Sequence, residues 1–401
     1  MPKVLMLVCD GMADRPLKEL GGRTPLEVAT KDNLNSIAAM GINGILDPIA
    51  PGVRVGSDTT HLALLGYDPY AVYTGRGPFE AIGVGLRLED GDIAFRSNFA
   101  TVDENLVVLD RRAGRIQDGT RELAEAINGI KLSGVEIIFK ESTAHRGALV
   151  MRGKDLRCEV SDSDPHVTGV KVLDVKAMNS TPGAEKTAEL VNEFSQRVQD
   201  VLRTHEVNVA RVNKGLNPAN MLLLRGCGRI AKIQSFQEKY GLQTGCMTTT
   251  GLIRGIAMGL GMELLSTSED YGRRIEEGLK YLKKNDFLLL NIKEPDEAAH
   301  DHKAREKINL VERIDGAIAP LKEFAKDNYL LLLSDHTTST SYGDHTGDPV
   351  PVVIAGPEVR RDDVRKFDER SAAKGGLGRI RGRDLIPIVM DLMNKSEKFG
   401  A

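Results

Sequence analysis

Carboxylate and imidazole side chains follow three apolar runs of this chain, at the point where each run ends. Asp10 follows the first run, Asp296 and His300 follow the second, and Asp335 with His336 follows the third. In an open parallel sheet, ligands collect outside the carboxyl ends of the strands, so side chains placed there by several strands share one edge. If the three runs are parallel strands, these five residues form one polar site.

The types and spacing of these residues favour a site for divalent metal ions. Four of the eight histidines, namely His300, His302, His336 and His345, fall within residues 300–345. Imidazole and carboxylate ligands without thiolate suit zinc or manganese, and suit magnesium less well. Asp296 and His300 are four residues apart and share one face of a helical turn, whereas His302 points away. The set as a whole predicts metal binding, although any one histidine alone would not.

Ser57 is the candidate nucleophile. It follows Gly56 in the segment GSDTTH and immediately precedes a predicted helix, at an N-cap position where its hydroxyl can face a ligand. The alternative, which the local sequence by itself favours, is that Ser57 only caps this helix. A nearby metal ion reverses that preference, because coordination lowers the pKa of a hydroxyl group enough to form an alkoxide. Thr59 and Thr60 are weaker candidates.

The elements that must position these residues are short apolar runs typical of strands buried on both faces. Continuous apolarity of this kind is what a parallel sheet covered by helices requires. The predicted strands are Lys3–Cys9, Phe287–Ile292, Tyr329–Leu333 and Pro351–Ala355.

Two helices are predicted beside these strands. Apolar residues recur at helical spacing over Lys303–Lys326, where Pro320 is expected to kink or end the helix. Threonines that can act as N-caps open a second helix at Thr248–Leu265. Both ends of the chain therefore predict an α/β domain with a mostly parallel sheet.

The middle of the chain has a different pattern. Short alternating stretches such as Asp92–Val102, Val135–Lys140 and Gly147–Arg152 indicate half-buried strands, and Glu185–Arg203 indicates an amphipathic helix. We therefore expect a discontinuous α/β domain, residues 1–80 and 232–401, interrupted by a smaller α+β domain at residues 81–231.

Composition excludes several classes of protein. The chain has 401 residues and a formal net charge of −3, so neither nucleic acid nor an anionic membrane is an expected partner. The four cysteines form no CxxC pair, and the apolar run Val4–Cys9 is too short for a signal peptide. We expect a cytoplasmic protein, and the sequence leaves the formation of a homo-oligomer open.

At this point the motifs resemble those of a known family. Asp10, the glycine-preceded Ser57, the segment EPDEAAH and the triplet SDH at Ser334–His336 are similar to the alkaline phosphatase superfamily, and more closely to the cofactor-independent phosphoglycerate mutases of the archaeal type. The similarity extends over the whole chain. The segment GSDTTH departs from the bacterial form, in which Glu-Val-Gly-His follows the serine, and this departure points to the archaeal branch of the family.

The resemblance implies a two-metal isomerase. Asp10, Ser57, Asp335 and His336 would hold one divalent ion, and Asp296, His300 and His345 the other, with Mn²⁺, Zn²⁺ or Mg²⁺ as the metals. The reaction would interconvert 3-phosphoglycerate and 2-phosphoglycerate in glycolysis and gluconeogenesis, through phosphoserine and without 2,3-bisphosphoglycerate. The inserted domain would close over the substrate and exclude water.

The family also uses cationic groups to bind the substrate's carboxylate and phosphate, and Asp110 and His145 are candidates for proton transfer to the substrate hydroxyls. The candidate substrate-binding residues are Asp110, Arg111, His145, Arg146, Arg225, Arg229 and Lys239.

Three alternatives compete with this interpretation. Gly226, Gly228 and Ala231 form a G-x-G-x-x-A pattern that would indicate a dinucleotide-binding oxidoreductase, but the acidic residue expected about 20 positions later is missing. A phosphatase or a phosphopentomutase-like enzyme could use the same metal site. A metal-stabilised binding protein without catalysis would not need Ser57.

Overall fold

The computed structural model describes residues 1–230 and 232–400 and divides the chain into two compact units. Met1–Val72 and Ile233–Ala401 form the first unit, and Tyr73–Lys232 forms the second. The second unit begins at Tyr73, before residue 81, because the backbone of Gly77 packs directly on that of Ala94. The helix that contains Gly77 therefore packs on the second unit's sheet.

The strands of the described residues, in chain order, are β1 (Val4–Cys9), β2 (Gly41–Asp47), β3 (Ile93–Val102), β4 (Val108–Asp110), β5 (Val135–Glu141), β6 (Arg146–Gly153), β7 (Met221–Gly228), β8 (Thr244–Met247), β9 (Glu263–Leu264), β10 (Phe287–Ile292), β11 (Tyr329–Leu333), β12 (Thr337–Ser339), β13 (Asp344–Thr346), β14 (Val350–Ala355) and β15 (Gly378–Arg381).

The α-helices of the same residues are α1 (Pro25–Val28), α2 (Asp32–Met40), α3 (Ser57–Leu64), α4 (Pro69–Val72), α5 (Gly77–Gly83), α6 (Thr120–Asn128), α7 (Pro182–Thr204), α8 (Glu206–Asn213), α9 (Phe236–Tyr240), α10 (Gly251–Gly259), α11 (Tyr271–Leu282), α12 (Glu294–His300), α13 (Ala304–Ala317), α14 (Leu321–Asp327), α15 (Glu369–Ala372) and α16 (Leu385–Leu392). Short 3₁₀ turns occupy Lys18–Leu20, Ala113–Arg115 and Gly382–Asp384.

The first unit is built on a mostly parallel sheet, as expected. Its strands lie in the order β15-β2-β14-β11-β1-β10-β8-β9. Strand β14 is antiparallel to both of its neighbours, so the expectation that Pro351–Ala355 joins the parallel set was wrong. The apolar sequence of a strand buried on both faces does not indicate whether the strand runs parallel or antiparallel to its neighbours. The described residues between β11 and β14 contain no helix, so they lack the crossover connection that a parallel strand needs.

Two predicted helices are shorter than the sequence pattern suggests. The helix expected over Lys303–Lys326 is divided into α13 and α14, because Pro320 lacks the backbone N–H that a continuous helix would use. The helix expected over Thr248–Leu265 is limited to α10. Gly261 adopts a φ of 74° just beyond it, and the chain turns into β9, which pairs with β8.

The second unit is an α+β arrangement. Strands β4-β3-β6-β5 form an antiparallel sheet, and β7 also pairs antiparallel with β3, over residues 94–100, whereas β4 pairs with Thr101 and Val102. Helices α6 and α7 pack their apolar faces on this sheet, with Leu123, Phe194 and Val198 fully buried. Among the residues that the structure describes, every helix is too short or too polar for a bilayer-spanning segment.

Candidate active site

The polar residues of the first unit meet at one edge of the sheet because β1 lies between β10 and β11. Cys9 is in register with Ile292, and Val8 is in register with Leu333, so the three strands end at the same level. Asp10 therefore emerges beside the residues that follow the other two strands. Its backbone N–H donates to the carbonyl oxygen of Ile292 at 2.8 Å, which continues the parallel ladder into the site.

Asp10, Asp335 and His336 form the first group of possible metal ligands, which we call group A. All three side chains are fully buried, and each offers a ligand atom within 4.8 Å of the others. His336 Nε2 lies 3.5 Å from Asp10 Oδ1 and 3.2 Å from Asp335 Oδ2. Burial and the neighbouring Asp335 raise the pKa of Asp10. Two carboxylates this close together and this deeply buried are stabilised by a neighbouring cation.

Group A has an open coordination position on Asp335. Its Oδ1 accepts from the N–H groups of Gly11 and His336, both at 3.0 Å. Its Oδ2 is buried and accepts no hydrogen bond from any described residue. Buried carboxylate oxygens in folded proteins are nearly always paired, so this oxygen fits a ligand to a divalent ion. Burial and the neighbouring His345 lower the pKa of His336 to about 3, which keeps its ring in the neutral form that binds metal.

Asp296, His300 and His345 form the second group, which we call group B. The two ring Nε2 atoms lie 3.2 Å apart, and each lies 3.4 Å from a different oxygen of Asp296. Asp296 and His300 occupy the same face of α12, as their spacing predicts. Asp296 is buried, whereas His300 is partly exposed.

Backbone carbonyls orient the two histidines of group B. His300 Nδ1 lies 2.6 Å from the carbonyl oxygen of Gly343, and His345 Nδ1 lies 2.7 Å from that of Val55. A carbonyl can only accept, so both Nδ1 atoms carry a proton, and both Nε2 atoms face Asp296. This is the second-shell arrangement typical of metal-binding histidines.

Ser57 lies against group A. It is the first residue of α3, and Gly56 is the N-cap, so the expectation that Ser57 caps the helix was wrong. Its side chain is buried, and Oγ lies 3.1 Å from His336 Nε2. The weaker candidate Thr59 instead donates to the carbonyl oxygen of Gly56 at 3.2 Å. Of these hydroxyl groups, that of Ser57 has the position expected of a nucleophile.

Lys293 is a site residue that the sequence analysis did not identify. Its Nζ lies 3.0 Å from Asp10 Oδ1 of group A and 2.6 Å from Asp296 Oδ2 of group B. Although burial opposes it, the two carboxylates raise the pKa of Lys293. The available signal was its position, since Lys293 directly follows β10, as Asp10 directly follows β1.

His302, the histidine expected to point away, lies outside both groups. Its Nδ1 donates to the carbonyl oxygen of Thr340 at 2.8 Å. His61 is a further buried histidine near the site. Its Nδ1 lies 2.7 Å from the carbonyl oxygen of Ser57, one turn earlier on α3, and 3.8 Å from Asp335 Oδ2.

In the second unit, two arginines lie beside the buried carboxylate of Asp164, and Glu80 pairs with two others, Arg76 and Arg96. Arg111 donates to Asp164 through Nε at 3.0 Å and Nη2 at 2.7 Å, and Arg225 Nη1 lies 4.0 Å from the same carboxylate. Arg96, which the sequence analysis missed, is buried near Arg225, and its Nε has no hydrogen-bond partner among the described residues. Burial and the adjacent Arg76 lower the pKa of Arg225 and, to a greater extent, that of Arg96. This surplus of positive charge fits an anionic ligand.

His145 and Arg146 precede and begin β6, in the same unit. Burial, together with Arg146 and other arginines, lowers the pKa of His145 to about 4, and its Nδ1 has no hydrogen-bond partner among the described residues. Asp110 accepts from the N–H groups of Arg112 and Gly114 at 2.8 and 2.7 Å. Its carboxylate therefore stabilises a turn, and its role as a proton shuttle stays a prediction.

Two other candidate residues lie apart from these clusters. Arg229 lines a cavity of about 660 Å³ at the N-terminus of α7, together with Arg157. Lys239 belongs to the first unit, where its Nζ donates to the carbonyl oxygen of Gly66 at 2.5 Å and lies 4.2 Å from the centre of the Tyr67 ring. Contact of either residue with substrate stays a prediction.

The glycine pattern of the alternative oxidoreductase does not form a dinucleotide site. Gly226 and Gly228 lie inside strand β7, where Gly228 pairs with Ala94 of β3, rather than in a tight turn that opens a helix. Ala231, the third position of the pattern, lies outside the described residues.

The mostly parallel sheet, with a buried serine beside a set of metal-capable side chains at the carboxyl ends of its strands, defines an α/β protein with a candidate metal site at one edge of its sheet. The family model described as 2,3-bisphosphoglycerate-independent phosphoglycerate mutase matches residues 38–208. The chain is 51% identical to 2,3-bisphosphoglycerate-independent phosphoglycerate mutase 1 from Methanothermobacter thermautotrophicus. It is 49% identical to the 2,3-bisphosphoglycerate-independent phosphoglycerate mutase from Methanosphaera stadtmanae. Both alignments cover 100% of each chain. The chain belongs to the 2,3-bisphosphoglycerate-independent phosphoglycerate mutase family.

Solved structures agree with this assignment. A protein from Pyrococcus horikoshii superposes with a TM-score of 0.86 at 37% identity, covering 100% of this chain and 99% of that chain. The cofactor-independent phosphoglycerate mutase from Thermoplasma acidophilum superposes with a TM-score of 0.72 at 38% identity, covering 98% of this chain and 100% of that chain.

Proposed function

We propose that this chain is an isomerase that interconverts 3-phosphoglycerate and 2-phosphoglycerate through a phosphoserine at Ser57, without 2,3-bisphosphoglycerate. The reaction is that of the family to which the chain belongs. The observation that carries the mechanism is the buried Ser57 hydroxyl, 3.1 Å from His336 Nε2 and adjacent to group A. A small doubly anionic substrate is the partner that this chemistry fits, and we place the enzyme in the cytoplasm.

Groups A and B each fit one divalent metal ion. Asp10, Asp335, His336 and the Ser57 hydroxyl would hold one ion, and Asp296, His300 and His345 would hold the other. Mn²⁺ or Zn²⁺ suits these mixed nitrogen and oxygen donors better than Mg²⁺ does. When bound, the ions neutralise phosphate charge and lower the pKa of the Ser57 hydroxyl.

Ser57 accepts the phosphoryl group. A bond forms between Ser57 Oγ and phosphorus while the bond between phosphorus and the substrate oxygen breaks, which yields phosphoserine and free glycerate. The glycerate then reorients, and its other hydroxyl oxygen takes the phosphoryl group back from Ser57. The N-terminus of α3 stabilises negative charge at Ser57. The Lys293 ammonium lies 3.0 Å from Asp10 of group A and stabilises the negative charge of that carboxylate.

The second unit supplies groups that bind anions. Arg111 and Arg225 lie around the buried Asp164, and Arg96 adds a buried guanidinium whose Nε has no hydrogen-bond partner among the described residues. A carboxylate that binds two parallel donors of an arginine is held in a defined orientation, which a reorienting glycerate requires. Asp164 already holds the Nε and Nη2 donors of Arg111, so we assign Arg96 and Arg225 to the substrate carboxylate and Arg111 to the same cationic cluster beside them. We assign His145, neutral at pH 7, to a substrate hydroxyl.

The test is to mix the protein and Mn²⁺ with 3-phosphoglycerate in the absence of 2,3-bisphosphoglycerate and to follow the products by ³¹P NMR. We expect 2-phosphoglycerate to form until equilibrium is reached. Release of inorganic phosphate alone would indicate a phosphatase instead. A requirement for added 2,3-bisphosphoglycerate would contradict the phosphoserine mechanism.

A further inference from the structure

Thr338 is a buried residue of β12 that neither the sequence motifs nor the proposed mechanism uses. Its hydroxyl touches both groups of metal-capable side chains. Oγ1 lies 2.7 Å from Asp296 Oδ1 of group B and 3.0 Å from His336 Nδ1 of group A. The side chain is fully buried, so water does not compete for these contacts.

Counting protons fixes the direction of both hydrogen bonds. Asp296 also faces the Lys293 ammonium at 2.6 Å, which makes Asp296 an anionic acceptor. Thr338 has a single hydroxyl proton and must donate it to this carboxylate. The hydroxyl oxygen can then only accept from His336, so Nδ1 of His336 carries the ring proton. His336 Nε2 is left with a free lone pair on the side of Asp10, Asp335 and Ser57.

The backbone around Thr338 is held on both sides. Its N–H donates to the carbonyl oxygen of Ala13 at 3.1 Å, and its own carbonyl oxygen accepts from Lys307 Nζ at 2.9 Å. Lys307 is itself wholly buried and also binds Asp14 at 2.9 Å. Gly11 leaves the space for the hydroxyl, because a Cβ there would lie 2.5 Å from Thr338 Oγ1. Thr338 is therefore a rigid contact between the two groups.

We propose that Thr338 is a positioning residue that couples the two metal-binding groups, by fixing Asp296 of group B and the Nδ1-protonated form of His336 of group A through one hydroxyl. This inference rests on the proposed function, because it assigns groups A and B to metal ions. Loss of the hydroxyl leaves the His336 ring free to carry its proton on Nε2, where the proton blocks metal binding. Second-shell partners of this kind contribute about 10- to 100-fold to metal affinity.

The test compares Mn²⁺ binding by full-length wild type, Thr338→Val, Thr338→Ser and Thr346→Val, using equilibrium dialysis against buffered Mn²⁺ and atomic absorption. Thr346 is a matched control, since it is a buried threonine on β13 of the same hairpin whose hydroxyl donates to Asp348 at 2.6 Å, outside both groups. Thr338→Val should bind Mn²⁺ about 10- to 100-fold more weakly. Thr338→Ser should bind it nearly as tightly as wild type, and Thr346→Val should be unchanged.

A second measurement needs no folded valine variant. In the metal-free, full-length wild type labelled with ¹⁵N-histidine, long-range ¹H–¹⁵N correlations should show His336 protonated on Nδ1 and unprotonated on Nε2. The opposite tautomer, or a Thr338→Val protein that binds two Mn²⁺ as tightly as wild type, would overturn the proposal. If wild type binds two Mn²⁺ with the expected dependence on Thr338 but forms no 2-phosphoglycerate, the proposed reaction fails and the positioning role stands.

Discussion

Replacement of Ser57 by alanine separates a catalytic role from a structural one. Ser57 is not the N-cap of α3, and its hydroxyl makes one hydrogen bond, to His336 Nε2 at 3.1 Å. Loss of one such bond costs about 0.5–1.5 kcal/mol of unfolding free energy. For a unit of this size, that corresponds to a fall in Tm of roughly 1–6 °C. The fold should therefore persist, because domains are typically stable by about 5–15 kcal/mol.

Activity should fall far more than stability. Without a phosphoryl acceptor, the rate of mutase turnover should decrease by at least about 10⁴-fold, which is roughly 5.5 kcal/mol in the activation barrier. The loss of one buried hydrogen bond is too small to account for a change of that size in the activation barrier. Turnover is measured with 3-phosphoglycerate and Mn²⁺ by ³¹P NMR, and Tm is measured on the same samples.

Thr59→Ala is the matched control for this experiment. Thr59 lies on the same helix and also makes one hydroxyl hydrogen bond, to the carbonyl oxygen of Gly56. It should lose a similar amount of stability while keeping a nearly normal rate. Acid-quenched wild type incubated with ³²P-labelled substrate should carry label on Ser57 alone. A Ser57→Ala protein with a near-normal rate, or label on a histidine, would refute the covalent mechanism.

Three further predictions follow from the same geometry. Removal of metal by EDTA should abolish turnover, and Asp296→Ala and His336→Ala should each lower bound metal measured by atomic absorption; full occupancy in both variants would contradict the ligand assignments. Arg111→Lys keeps the charge but loses the paired contact with Asp164, so KM for 3-phosphoglycerate should rise about tenfold or more, and an unchanged KM would argue against a role in substrate binding. Burial and nearby arginines lower the pKa of His145 from 6.5 to about 4, so its neutral form contributes stability that is present above pH 6.5 and is lost as the pH falls towards 4. Between pH 7 and pH 5, the unfolding free energy measured by urea titration should fall by about 2 kcal/mol less in His145→Gln than in wild type. An identical pH dependence in both proteins would contradict the shifted pKa.

The sequence by itself determined which residues reach the edge of the sheet. Three apolar runs, each followed at once by Asp or His, encode strands and the polar residues at their carboxyl ends, because local burial and strand length are properties of short segments. The four-residue spacing of Asp296 and His300 likewise fixed their common helical face. The family resemblance then followed from the same few motifs.

Strand direction and helix ends were less predictable. The apolar run of β14 is compatible with either direction, and only its pairing with β2 and β11 makes it antiparallel. The helix predicted to reach Leu265 ends at Gly259 because the following segment pairs with β8. In both cases, contacts with residues distant in sequence decided the outcome, and periodicity contains no information about them.

The tertiary structure alone decided how the site is connected. A pattern of residues predicts neither that Lys293 spans the carboxylates of both groups, nor that Thr338 links Asp296 to His336, nor that the Ser57 hydroxyl faces His336 instead of capping α3. The contacts of Lys293 with Asp10, of Thr338 with Asp296 and of Ser57 with His336 each join segments that are far apart in the chain. Thr338 and His336 are two residues apart, but their contact depends on a turn whose shape is set by distant segments. Which atom faces which is set by the packing of those segments, and side-chain direction over such separations is not encoded in local spacing.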